Sequence, residues 1–260
     1  MSYKPILLVA GEPNSIFFEI FFKSLKKNKF KSPLIIIASL KLLKSEMRKF
    51  KFTKKIRILK FDYLKNYKLN NQTVNLINVN LDFKKKNIYI NDCFNIAFKI
   101  IKTNFSYKFI NGPINKSNFL NKKFLGVTEY ISNKFKTKKT AMLIYNKNLS
   151  VCPLTTHLPL KSVSKKIDKK LINEKIKIIN DFYVKHIGFK PKMALTGLNP
   201  HCESINQYDE DKKITLPAIK SLRKKGYKIN GPFPADTIFL KQNRKKYNVI
   251  IGMYHDQVLT

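Results

Sequence analysis

The sequence holds four histidines, and three of them follow runs of strand-forming residues. His157 comes after "LSVCPLTT", His201 after "MALTGLNP" and His255 after "NVIIGMY". In open α/β sheets ligands bind at the carboxyl edge of the strands, so side chains just past strand ends are the ones topology can bring together. Three neutral imidazoles meeting in space would suit a divalent transition metal, with coordination positions left for water or substrate. The separations carry no ligand signature of their own, and by spacing alone three unrelated loop histidines are the simpler reading. The fourth, His186, falls in the last helical turn before Gly188, where a cation complements the helix dipole and a structural role is expected.

Two carboxylates are placed to serve such a site. Asp256 directly follows His255, and Asp236 lies in "NGPFPADT". Either could orient an imidazole or move a proton; Asp236 could equally cap a turn before Thr237. Lys116, in "GPINK", could meet an anionic substrate or act in proton transfer, although a lysine in so basic a chain is commonly a solvated surface residue. Cys93, Cys152 and Cys202 form no C-x-x-C pair and are odd in number, which suits a reducing cytoplasm rather than a disulfide framework. Cys152 and Cys202, near the histidines in sequence, read as buried inert thiols.

The elements that must position these residues alternate between short apolar runs and longer amphipathic ones, the rhythm of a parallel α/β protein. "PILLVAGEP", "SPLIIIAS", "YKFINGP", "PKMALTGLNPH" and "YNVIIGMYHDQ" read as strands running into turns or loops. "TAMLIYNKNLSVCPLTTH" reads as two strands joined by a turn at Asn146-Lys147-Asn148. "NSIFFEIFFKSLKKN", residues 40 to 50, "INDCFNIAFKIIKTN" and "ITLPAIKSLRKKG" read as helices. Residues 168 to 187 carry apolar side chains at helical spacing (Leu171, Ile172, Ile176, Ile179, Tyr183, Ile187), closed by Gly188. The predicted organisation is a first α/β domain over residues 1–125 and a second over 126–260 that carries the histidines.

The net charge of +36 invites a nucleic-acid reading. The basic residues are scattered along the whole chain, however, together with an excess of Asn, Ile, Phe and Tyr. That joint bias is what an AT-rich genome imposes through its codons, and no hallmark fold for DNA or RNA readout is visible. No specific nucleic-acid partner is expected. No segment approaches the ~20 apolar residues of a membrane span, so no membrane association is expected and the chain reads as cytoplasmic. No G-x-G-x-x-G stands after a strand, so a Rossmann-type dinucleotide fingerprint is missing.

The motifs "TTHLPL", "GLNPH", "NGPFPADT" and "MYHDQ", preceded by "GEP", "GPINK" and Thr128-Glu129, resemble the 4-hydroxythreonine-4-phosphate dehydrogenase family of vitamin B6 biosynthesis in order and approximate spacing. The resemblance runs from about residue 6 to the last residue. It implies a two-domain α/β fold of the isocitrate and isopropylmalate dehydrogenase kind, an active-site cleft between the domains, and a homodimer. It implies that His157, His201 and His255 ligate one divalent metal (zinc, magnesium or cobalt) in a site shared between subunits, and that Thr128 contacts substrate. The implied reaction is the oxidation and decarboxylation of 4-phosphooxy-L-threonine to 3-amino-2-oxopropyl phosphate with NAD or NADP, in pyridoxal phosphate biosynthesis. Val127 stands where the family has a substrate-contacting histidine, Ser15 and Phe17 where glycines are usual, and "CES" follows His201 where the family has a longer loop. Val127 keeps open a related dehydrogenase acting on a threonate or erythronate phosphate; a basic binding protein that kept the fold without the activity is the reading from another class. The family continues past "HDQ" with a Lys, an Asn and an Arg that hold substrate, so the resemblance implies that this chain is C-terminally incomplete and, as it stands, without dehydrogenase activity.

Overall fold

The computed structural model describes residues 3–115, 119, 124, 126–137, 139–204 and 209–259. They form two compact units, Met1–Phe124 and Leu125–Thr260, each an α/β layer built on a parallel sheet.

In the first unit the five described strands lie in the order β3-β4-β2-β1-β5: β1 (Ile6–Val9), β2 (Leu34–Ala38), β3 (Ile56–Ile58), β4 (Val74–Asn78) and β5 (Lys108–Asn111). All pairings are parallel. Every residue of β2 is buried, as expected of a central parallel strand covered on both faces. Helix α1 (Phe17–Lys27) buries Phe17, Phe18, Phe21 and Phe22 against the Leu8, Leu34, Ile36 and Leu76 face. Phe22 also stacks on Phe52 at 4.5 Å between ring centroids. Helix α2 (Leu40–Lys49) is capped by Ser39, whose hydroxyl accepts from Leu42 N. Helix α3 (Lys86–Lys102) lies against β1 and β2, and the Tyr89 hydroxyl accepts from the backbone of Ser39, tying the layers together.

In the second unit the four described strands run β6-β9-β7-β8: β6 (Ser150–Pro153), β7 (Met193–Thr196), β8 (Ile229–Phe233) and β9 (Val249–Gly252). These are parallel too, so the chain leaves all of them at one edge of the sheet. Helix α4 (Val127–Lys134) precedes this sheet. Helix α5 (Lys169–Phe182) and helix α6 (Leu216–Lys224) supply Ile172, Ile176, Ile179, Ala218, Ile219 and Leu222 to a core with Cys152, Leu195 and Ile251. Asp168 caps α5 at Leu171 N, 2.6 Å.

Three expectations are refined. The helix over residues 168 to 187 finishes with a π turn, Tyr183–Ile187, before Gly188 at φ 98°; His186 lies in that turn with its ring 5.4 Å from Phe182. The expected hairpin around residues 146 to 148 shrinks to a single antiparallel bridge, Ile144 with Val151. β6 gives its ladder to β9 instead, while Ala141 and Leu143 turn onto the core. The last strand ends at Gly252 rather than running through the histidine, because the side-chain oxygen of Gln257 takes the Met253 amide at 2.7 Å.

Phe22 is 2% exposed, so Phe22→Ala should destabilise the chain by about 3–5 kcal/mol through cavity formation. Lys23→Ala, on the outer face of the same helix, should stay within about 0.5 kcal/mol of the unaltered protein. Guanidinium denaturation of both variants checks the difference.

Candidate active site

The loops leaving β6, β7 and β9 are fastened to each other by side-chain and backbone bonds. Thr155, just past β6, donates its backbone N–H (3.2 Å) and its hydroxyl (2.8 Å) to the carbonyl of Met253, just past β9. This fixes the two histidines that follow: the rings of His157 and His255 lie 6.4 Å apart, inclined by 35°. Both line a cavity of about 280 Å³ with Thr155, Leu158, Leu160, Val163, Tyr254 and Asp256. The cavity is a histidine-bearing concavity with partly apolar walls, a setting that favours ligand contacts over free hydration.

Each of these imidazoles faces a carboxylate. His157 Nδ1 is 3.2 Å from Glu129 Oε1, and His255 Nδ1 is 2.7 Å from Asp256 Oδ1. When Nδ1–H donates to the carboxylate, the lone pair of the neutral ring sits on Nε2, the arrangement of a metal-ligating or proton-accepting histidine. Glu129 comes from the first turn of α4 and also accepts from the Thr156 hydroxyl at 3.1 Å. Burial pushes its carboxyl up, but the backbone amide, His157 and Thr156 together hold it below the usual range. Gly126 makes the approach possible: a Cβ there would stand 2.7 Å from Glu129 Oε2 and 2.8 Å from His157 Cε1. His157 itself sits at φ 51°, a left-handed backbone that costs a non-glycine residue about 1–2 kcal/mol.

Gln257 joins the ends of β7 and β9. Its side-chain oxygen accepts from Met253 N at 2.7 Å and from the Thr196 hydroxyl at 2.9 Å, and its amide donates to Gly197 O at 3.0 Å. The short helix Asp256–Leu259 folds back so tightly that a Cβ at Gly252 would meet Val258 Cγ1 at 2.6 Å.

His201 stands in a second, separately built loop. Asp211, 1% exposed, accepts from Leu198 N at 2.9 Å and Asn199 N at 2.9 Å. His201 and Cys202 then take left-handed φ values of 56° and 60°, which leaves the imidazole exposed. Asp236, in the short helix Ala235–Ile238, is exposed, and its turn is tied to this loop by Gly197 N donating to Phe233 O. Burial, then Asp211 and, more weakly, Asp236 push the Cys202 thiol up to about 11. Burial pushes Cys152 to about 12. Neither thiol is a ready nucleophile.

The structure therefore brings together His157, His255 and Asp256, and places Thr128 half-buried beside Glu129 on α4. His201 does not line their cavity. Among the described residues of this single chain, no group of three or more His, Cys, Asp or Glu side chains is arranged to hold a metal ion. Lys116 lies outside the described residues. Sequence reasoning assigned no role to Glu129, Gln257 or Asp211. The adjacency of Glu129 to Thr128 was the available signal for the first; nothing in the spacing marks the other two as loop anchors.

The family model described as pyridoxal phosphate biosynthetic protein PdxA matches residues 29–260. A 4-hydroxythreonine-4-phosphate dehydrogenase of Sulfurihydrogenibium sp. (strain YO3AOP1) is 39% identical over 138 residues, which is 52% of this chain and 42% of that protein. One from Neisseria meningitidis serogroup A is 38% identical over 138 residues, again 42% of its length. The chain thus spans less than half the length of the curated relatives it matches. The crystal structure of 4-hydroxythreonine-4-phosphate dehydrogenase from Klebsiella pneumoniae superposes with a TM-score of 0.77 at 25% identity, covering 98% of this chain and 82% of that one.

Replacing Asp211 with Ala should strip the Leu198 and Asn199 amides of their acceptor. The expected cost is about 1–3 kcal/mol for each amide left buried and unpaired. Guanidinium denaturation reads the total, and faster hydrogen exchange confined to the residue 198–202 loop would place the damage there.

Proposed function

The chain belongs to the pyridoxal phosphate biosynthetic protein PdxA family, and from that premise we propose that it acts as a 4-hydroxythreonine-4-phosphate dehydrogenase in the cytoplasm. The reaction is oxidation at the C3 hydroxyl of 4-phosphooxy-L-threonine with hydride passing to NAD or NADP. The resulting β-keto acid loses carbon dioxide to give 3-amino-2-oxopropyl phosphate. The observation that carries this reading is the pair of imidazoles on one cavity, each with a carboxylate at Nδ1.

That donor set fits a divalent metal, since with Nδ1–H turned to its carboxylate each ring leaves the Nε2 lone pair for an ion. His157 and His255 would hold the ion from this chain and His201 would complete the set from a second copy, in keeping with the separation of His201 from their cavity. When bound, zinc, magnesium or cobalt supplies Lewis acidity, easing ionisation of the hydroxyl and polarising the carbonyl that replaces it. The working form is then a homodimer with a site shared between subunits.

The chain's own groups do the rest. Thr128 contacts the substrate from the first turn of α4. Asp256 holds the His255 ring and, being exposed, can also take the hydroxyl proton. Asp236, on the turn next to the His201 loop, is the second proton-transfer candidate, and Lys116 is a third or a partner for the substrate's anionic groups. Leu158, Leu160 and Val163 give the cavity part of its wall as apolar surface. No residue is assigned to the nicotinamide nucleotide.

Val127, beside Thr128, supports a second reading: a hydroxy acid lacking one polar handle, a threonate or erythronate phosphate, as the substrate. Zinc binding and turnover test both. His157→Ala, His201→Ala and His255→Ala should each lower zinc affinity sharply, while His186→Ala should not. NAD reduction should follow addition of 4-phosphooxy-threonine to a protein that also carries the family's C-terminal Lys, Asn and Arg. Faster reduction with the threonate or erythronate phosphate would select the second reading. Zinc affinity unmoved by all three changes, with no turnover of either substrate class, would leave a basic binding protein.

The scattered positive charge is assigned no nucleic-acid role. Non-specific Kd values at physiological salt are ~10⁻⁴ to 10⁻⁶ M. Titration with labelled DNA and RNA at that salt should give nothing tighter, and sequence-selective binding would contradict the assignment.

A further inference from the structure

We propose that Glu129 is the positioning residue for His157: it fixes the ring with Nδ1–H turned to the carboxylate and Nε2 left to bind. This rests on the metal reading of His157 and deepens it by giving the carboxylate at Nδ1 its task. Glu129 is the fourth side of a small closed arrangement. The chain at His157 is in a left-handed backbone, φ 51°, which swings the imidazole back toward the start of α4. There Glu129 Oε1 receives both the ring, at 3.2 Å, and the Thr156 hydroxyl, at 3.1 Å. One oxygen thus holds two consecutive residues of the loop after β6. Gly126 removes the obstacle, since any Cβ there would stand 2.8 Å from His157 Cε1 and 2.7 Å from Glu129 Oε2.

Glu129 Oε2 is buried and, among the described residues, has no hydrogen-bond partner. Oε1 therefore makes the side-chain contacts, and a charged acceptor facing Nδ1 fixes the tautomer of the ring. His255 has a carboxylate neighbour too, but the Asp256 side chain is 75% exposed. Of the two rings, His157 is the one whose orientation is built into the fold.

Two measurements test this on the 260-residue chain. The first is nitrogen NMR of the metal-free protein at about two pH units above the ordinary histidine value of ~6.5. His157 should be the Nδ1–H tautomer, and Glu129→Ala should move it toward the Nε2–H form that free imidazole side chains prefer. The second is zinc affinity by competition with a chromophoric chelator. Glu129→Ala should weaken it about 10–100-fold, and Glu129→Gln, whose amide oxygen still accepts from Nδ1–H, should recover part of the loss. Circular dichroism should show both variants folded. An unchanged tautomer in Glu129→Ala overturns the proposal, as does unchanged zinc affinity in that variant when His157→Ala loses it. If His157→Ala itself binds zinc normally, the metal reading fails, and the metal-free tautomer still decides the role of Glu129.

Discussion

The second unit depends on a lock between strand ends in which side chains extend what the sheet begins. The strands stop at Pro153, Thr196 and Gly252, and just beyond them a few backbone bonds continue the pairing: Leu154 N to Gly252 O, Thr155 N to Met253 O and Gly197 N to Phe233 O. Gln257 and Thr155 add side-chain bonds, with Met253 as the shared post: its amide goes to Gln257 and its carbonyl to Thr155. The loops after β6, β7 and β9 are thereby joined to one another. A parallel sheet delivers residues to that edge; only the lock holds them there within hydrogen-bond precision.

The consequence is a division of labour within "MYHDQ". Gln257 is structural, Asp256 orients, and His255 is presented. The same division appears in "TTH", where Thr155 anchors, Thr156 braces Glu129 and His157 is presented. The "GLNPH" loop uses a different device, a buried aspartate thirteen residues downstream of its leucine that takes the loop amides. Two of the three histidines sit in left-handed backbone, and strained conformations persist where surrounding bonds over-determine them. The Asp211 and Glu129 contacts are such bonds.

Much of this was legible in the sequence, and for definable reasons. The central strands β1, β2, β7 and β9 are continuous apolar runs, which parallel burial on both faces demands, and α5 announces itself by its spacing and its Gly188 stop. Strands β3, β4 and β8 were not read. "IRI" is three residues long, "VNLIN" places the buried Asn75 at a core position, and "INGPF" is interrupted by Gly231 and Pro232. Asn75 is tolerated because its amide donates to Leu34 O and Asn70 O, a pairing visible only in three dimensions. The histidines were identifiable by strand-end placement and motif. Their supporting carboxylate Glu129 was not, because it reaches His157 from a helix twenty-eight positions upstream.

The central claim is that His157 and His255 offer their Nε2 atoms to one divalent ion. The direct test is a crystal structure of the zinc-loaded chain with an anomalous difference map at the zinc edge. One peak about 2.0–2.1 Å from Nε2 of both His157 and His255, with His201 of a neighbouring copy as the further nitrogen ligand, is the predicted result. A peak elsewhere, or a zinc held through Nδ1 with Glu129 and Asp256 displaced, would contradict it.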